Sequence, residues 1–277
     1  MQRLSATLSV TALAAALLVL ASPRPACALS FDDNALIREE QLLFPSRGQL
    51  KPSSLEATQA AQTAINYLNS DRGSPSSLRK PGYVKRASVK SIPGVGHKYF
   101  LQFTTKDFLN GQNLGLCLAT VTYRKRKPKP VVFISCSKEK DTAQRLKEDY
   151  DIYRSLRDSF GTSKASSSHL WALGTMGSSY IAWEKATEDG SYVMTDMADV
   201  KPWKRGDGSL EYDYKAVLLK GFSQFLSCHV RLTWKPEQPA KVKYDCSSVD
   251  ESAESADGSG GEIELASGFF IQSENNF

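Results

Sequence analysis

Two stretches of the chain repeat one alternation of apolar and polar positions, and a cysteine pair brackets each. The first runs Cys117-Leu-Ala-Thr-Val-Thr-Tyr123, then a basic turn from Arg124 to Pro130, then Val131-Val-Phe-Ile-Ser-Cys136. The second runs Cys228-His-Val-Arg-Leu-Thr-Trp234, then Lys235 to Pro239, then Ala240-Lys-Val-Lys-Tyr-Asp-Cys246. Period-two alternation places every second side chain on one face of a strand. With Cys117 opposite Cys136 in an antiparallel pair, Ala119 faces Ile134, Val121 faces Val132 and Tyr123 faces Pro130. With Cys228 opposite Cys246, Val230 faces Tyr244, Leu232 faces Val242 and Trp234 faces Ala240. Arg231, Thr233, Lys241 and Lys243 then fall on the other face. A slip of one residue destroys both matches. Opposed residues lie within disulfide reach. Of the three pairings open to four cysteines, Cys117–Cys136 and Cys228–Cys246 are therefore expected.

The pattern upstream of each hairpin is also shared. Ser53 with Glu56 resembles a capping box, and Ala57, Ala61, Ala64, Ile65 and Leu68 follow at helical spacing. Strand-like runs Tyr83 to Ile92 and His97 to Phe108 are joined by Pro93-Gly94-Val95-Gly96. In the second half Ser166 to Ser168 can cap a helix bearing Leu170, Leu173, Tyr180, Ile181 and Trp183. Runs Ser191 to Lys204 and Leu210 to Leu219 flank Gly206-Asp207-Gly208. Between the halves, Asp141 to Phe160 reads as a helix with Leu146, Tyr150, Tyr153, Leu156 and Phe160 on one stripe and Gly161 as its stop. The fold expected is α+β: two tandem modules, each one helix on a four-stranded antiparallel sheet, joined by a linker helix. The modules are placed at 53–138 and 162–248, with the linker helix at 139–161.

The ends differ in character from this body. Arg3, the apolar run Leu8 to Ala21 and Ala26-Cys27-Ala28 form a signal peptide at 1–28, followed by an extension at 29–52. Export leaves Cys117, Cys136, Cys228 and Cys246, an even count that suits disulfides in an oxidising compartment. Zinc binding is not expected: no Cys-x-x-Cys exists, and His97, His169 and His229 are scattered. From 249 to 277 the chain is Ser-, Gly- and acid-rich and reads as a disordered tail, with seven carboxylates from Asp250 onward and no Lys or Arg. Without signal peptide and tail, the body holds 33 basic against 23 acidic residues. Such a body attracts acidic surfaces.

Taken with Ser91-Ile-Pro-Gly-Val-Gly-His-Lys-Tyr99, His169-Leu-Trp171, Tyr180-Ile-Ala-Trp183, Thr187-Glu-Asp189, Tyr192-Val-Met194 and Leu232-Thr-Trp234-Lys-Pro236, the element order resembles the latexin family of cystatin-like proteins. The signal peptide, paired cysteines and acidic tail resemble its eggshell-matrix members first and its retinoic-acid-receptor-responder members next. The resemblance implies a secreted structural role in a mineralised extracellular matrix, modulating mineralisation or protecting the matrix. Other matrix proteins, anionic glycans and calcium mineral are the partners it implies. The alternative it implies is inhibition of a zinc metallocarboxypeptidase by a turn presented to the enzyme's active-site funnel. Here that turn matches Lys220 to Phe225, giving Gly221, Phe222, Ser223, Gln224 and Phe225 as candidates, and it is shorter than the family pattern. The cysteine-protease wedge of cystatins keeps only its last glycine in Ile92-Pro93-Gly94-Val95-Gly96.

No catalytic array, phosphate loop or nucleophile elbow stands out, and solvent exposure accounts for the three histidines. Neither an enzyme activity nor a cofactor is expected, and neither nucleic-acid binding nor a membrane anchor. Two further features carry possible chemistry. Arg124, Lys125, Arg126, Lys127 and Lys129 form a basic hairpin tip suited to anionic partners. Ser252, in Ser252-Ala-Glu254, is a candidate phosphosite for secretory-pathway kinases, where phosphate would add to the calcium-attracting carboxylates.

Overall fold

The computed structural model describes residues 48–159, 167–221 and 223–249. The expected signal peptide, most of the expected extension, Phe160, Gly161, Ser166, Phe222 and the expected tail with Ser252 lie outside the described residues. Helix α1 (Leu55–Asp71) begins where Ser54 caps it, its hydroxyl accepting the Ala57 amide hydrogen at 3.3 Å. The cap is thus Ser54 rather than Ser53. Only from position 54 does the side chain reach the third helical amide, and this puts Glu56 one place too early for a capping box. Ala57, Ala60, Ala61, Ala64 and Ile65 are at most 1% exposed, and these small side chains let α1 sit close to the sheet below it.

That sheet is antiparallel with strand order β1-β2-β3-β4-β5: β1 (Gln49–Leu50), β2 (Arg79–Ile92), β3 (Gly96–Asp107), β4 (Asn113–Arg124) and β5 (Val131–Cys136). Five strands replace the expected four. Gln49 and Leu50 of the expected extension pair with Ser88 and Ala87, a contact too short to leave a period in the sequence. At the β2–β3 turn, a Cβ on Gly96 would lie 2.0 Å from the Tyr123 carbonyl oxygen, so the close approach to β4 requires glycine there.

The second sheet has order β6-β7-β8-β9: β6 (Tyr192–Lys204), β7 (Leu210–Lys220), β8 (Gln224–Trp234) and β9 (Lys241–Val249). Helix α2 (Thr142–Asp158) precedes α3 (Ser167–Glu184), which crosses this sheet and packs against α1. The registers are the expected ones. Cys117, Ala119 and Val121 face Cys136, Ile134 and Val132, while Cys228, Val230 and Leu232 face Cys246, Tyr244 and Val242. Each cysteine pair is bonded, with 4.0 Å between Cα atoms in both.

The buried stripe of α2 differs from the expected one. Asp149, Ile152 and Leu156 are buried, whereas Tyr150 is exposed and reaches Glu237 at 3.1 Å. An apolar-only pattern misses Asp149, whose carboxylate accepts the Ser76 amide hydrogen at 3.2 Å and so rotates the stripe. Leu78, from the segment before β2, is buried with Ile152, Leu156, α3 and the second sheet. The two halves therefore share one buried cluster through Leu78.

Burial also sets an alkaline limit. Tyr123 donates to Thr63 at 3.0 Å and Tyr214 to the Gly174 carbonyl at 3.1 Å, and burial raises both phenols above their usual range. Their neutral forms are held when folded but ionise when unfolded. Stability is therefore constant below the unfolded value near pH 10 and falls above it, by about 1.4 kcal/mol per pH unit per group. Urea midpoints measured from pH 8 to 11 should drop above about pH 10, and Tyr123→Phe should flatten part of that drop.

Candidate functional site: exposed turns and the seam between the sheets

The β7–β8 hairpin closes at Lys220 opposite Gln224, with Leu219 opposite Phe225 one step further in. Gly221 and Ser223 lie in the turn, with Gly221 at φ +62° in the left-handed region that favours glycine. Gln224 and Phe225 are thus strand residues, not turn residues as the five-residue reading had them, because cross-strand hydrogen bonding persists to the last possible pair. Gln224 is exposed at the edge of the turn and Phe225 is half-buried.

At the β4–β5 hairpin, Arg124, Lys125, Arg126 and Lys127 are exposed, as the basic-tip reading expects. Lys129 departs from them. Its ammonium lies 3.9 Å from the Trp183 ring centre and 5.2 Å from that of Tyr180, and burial lowers its pKa while Glu184 opposes the shift. The Trp183 indole donates to the Pro130 carbonyl at 3.3 Å. The tip thus offers four free-standing cations, and the fifth is spent on a cation–π contact that ties β5 to α3.

A second tie joins the β2–β3 hairpin to the turn after α3. Glu188 meets His97 Nδ1 at 2.7 Å and accepts from the Tyr99 hydroxyl at 2.8 Å. Burial first, then the bond to Glu188, raises the Tyr99 phenol. Asn66 of α1 adds a bond to the Tyr192 carbonyl at 2.9 Å. The histidines are therefore not simply solvated side chains: His97 pairs with Glu188, and His229 contacts Asp213. His169 is half-buried, which lowers its pKa. Among the described residues no cluster of three or more His, Cys, Asp or Glu could hold a metal ion. Sequence reasoning named Thr187-Glu-Asp189 but found no partner for Glu188, since 91 residues separate it from His97.

A cavity of about 390 Å³ opens along the seam, lined by Asn66, Arg79, Phe108, Trp171, Ser178 and Met194 among others. Its walls come from both halves.

The latexin family model matches residues 50–252, which takes in the three helices and nearly all of both sheets among the described residues. The chain belongs to the latexin family. Among curated latexin-family relatives, chicken (Gallus gallus) ovocalyxin-32 is 35% identical over 96% of this chain and 98% of its own length. Human retinoic acid receptor responder protein 1 is 29% identical over 72% of this chain and 74% of its own length. Human latexin is 29% identical over 71% of this chain and 95% of its own length. Mouse fetuin-B, a solved structure, aligns with 74% of this chain and 71% of its own at 10% identity and a TM-score of 0.25, which bears no weight on the latexin-family fold.

Proposed function

We propose that this latexin-family chain is a secreted, non-enzymatic extracellular matrix protein that modulates mineral growth. It is built of two tandem cystatin-like modules, at 53–138 and 162–248. The observation that carries the reading is the extent of the ovocalyxin-32 match, 96% of the chain against 71% for human latexin. The human latexin match leaves out 29% of the chain, whereas the ovocalyxin-32 match leaves out only 4%. The seven carboxylates of the tail supply oxygen ligands of the kind calcium prefers, and phosphate on Ser252 would strengthen them. The basic body supplies the opposite charge for acidic matrix partners and glycans.

Calcium carbonate growth tests this. The full secreted chain should change crystal shape and slow growth, and a chain ending at Val249 should lose much of that effect. Identical crystals with buffer, full chain and shortened chain would refute the reading.

The second reading is metallocarboxypeptidase inhibition, favoured by family membership together with the exposed Gln224 beside the turn. Titration of carboxypeptidase A separates the two. The matrix reading expects no inhibition at micromolar protein. Potent inhibition lost in Gln224→Ala and Phe222→Ala would put the inhibitor reading in its place.

A further inference from the structure

We propose that the outer face of the second sheet binds a sulfated glycan, a site that goes beyond the matrix reading and stands whether or not the chain acts on mineral. It also moves the contact with anionic sugars away from the hairpin tip. Leu210, Tyr212 and Tyr214 point into the core, so the alternate positions of β7 point outward with their cross-strand partners. Register sets them in rows: Trp203, Glu211, Thr233 and Lys241 in one, Lys201, Asp213, Arg231 and Lys243 in the next.

Charge on this face is not balanced within the sheet. Arg231 stands directly opposite Lys243, an arrangement of like charges that costs stability when nothing lies between them. Arg231 is 3.0 Å from Asp213, and Arg205 is 2.7 Å from Glu211. These carboxylates steady two guanidinium forks. Lys241 and Lys243 are exposed and have no ion-pair partner among the described residues. A groove of about 310 Å³ is lined by Arg205, Arg231, Lys235, Lys241 and Lys243 against only Asp207 and Glu211 among charged side chains. An anion seated there would relieve the repulsion between Arg231 and Lys243.

The form of the site favours a sulfated sugar over an acidic peptide. The cations sit at the fixed intervals of a sheet, about 4.8 Å between strands and 6.7 Å along one. This suits a stiff polymer that carries charge on successive rings. Arginine forks match the paired oxygens of sulfate and carboxylate. Trp203, 44% exposed on the edge strand of the same row, offers a flat apolar surface on which the C–H face of a pyranose ring can stack. An acidic peptide has no need of that indole.

The test measures heparin binding to the full chain by calorimetry at fixed ionic strength, since surface charge attraction varies with salt. Lys241→Gln with Lys243→Gln should weaken binding about tenfold. Trp203→Ala should weaken it about threefold with no change of charge. Lys125→Gln with Lys127→Gln removes the same charge from the hairpin tip and should change it less than about twofold. All these positions are exposed, and matched thermal midpoints confirm folding. Equal losses for tip and face, no effect of Trp203→Ala, or polyglutamate of equal charge binding as tightly as heparin would each overturn the proposal. The last outcome would point to an acidic protein partner.

Discussion

Leu78→Ala is expected to lower stability by about 3 kcal/mol, within the range of 2–5 found for buried leucines. Leu78 is 1% exposed and belongs to the buried cluster that holds Ile152, Leu156, Leu173 and Leu210. The residue belongs by sequence to the first half and by packing to the second. Its loss removes the transfer energy of the side chain and leaves a cavity that two rigid layers cannot close. Urea titration followed by tryptophan fluorescence reads the effect well, because Trp171, Trp183, Trp203 and Trp234 all lie in the second half. A loss below about 1 kcal/mol would mean that the halves do not share this core.

A loss of similar size is expected from opening either hairpin bond. Cys228→Ala with Cys246→Ala frees a loop closed across 18 residues, and the chain-entropy relation puts its closure at about 3 kcal/mol. At the size of this chain that corresponds to a fall in Tm of roughly 6–12 °C. The matching change at Cys117 and Cys136, separated by 19 residues, should cost nearly the same. Alternation should still hold the register without sulfur, since Val230, Leu232 and Trp234 are buried on one face and Arg231 is exposed on the other. Far-UV circular dichroism below the transition should therefore stay unchanged. A double variant as stable as the parent would contradict the argument.

Much of this fold was legible because strand alternation is a local signal. The pairing of Cys117 with Cys136 and of Cys228 with Cys246 followed from apolar residues two apart, and the structure has both. What local patterns could not show was contact between the halves. Lys129 reads as one more cation in a basic run until Trp183, 54 positions later, is seen beneath it. Asp149 looks like a surface residue until the Ser76 amide is found facing it. β1 was hidden for another reason, since two residues cannot establish a period. The turn between β7 and β8 is narrower than the five-residue reading had it, because pairing at Gln224 and Phe225 depends on partners across the hairpin. The cationic sheet face was half visible: Lys241 and Lys243 were placed outward, but Trp203 and Arg205 join them only through β6 and the turn that follows it.

The placement of every turn and sheet face depends on two hairpins, each closed on itself by one sulfur bridge in the same register. Mass spectrometric mapping of unreduced, alkylated peptides addresses that point directly. It should recover Cys117 linked to Cys136 and Cys228 linked to Cys246. A linkage of either early cysteine to either late one, or free thiols at these four positions, would contradict the account.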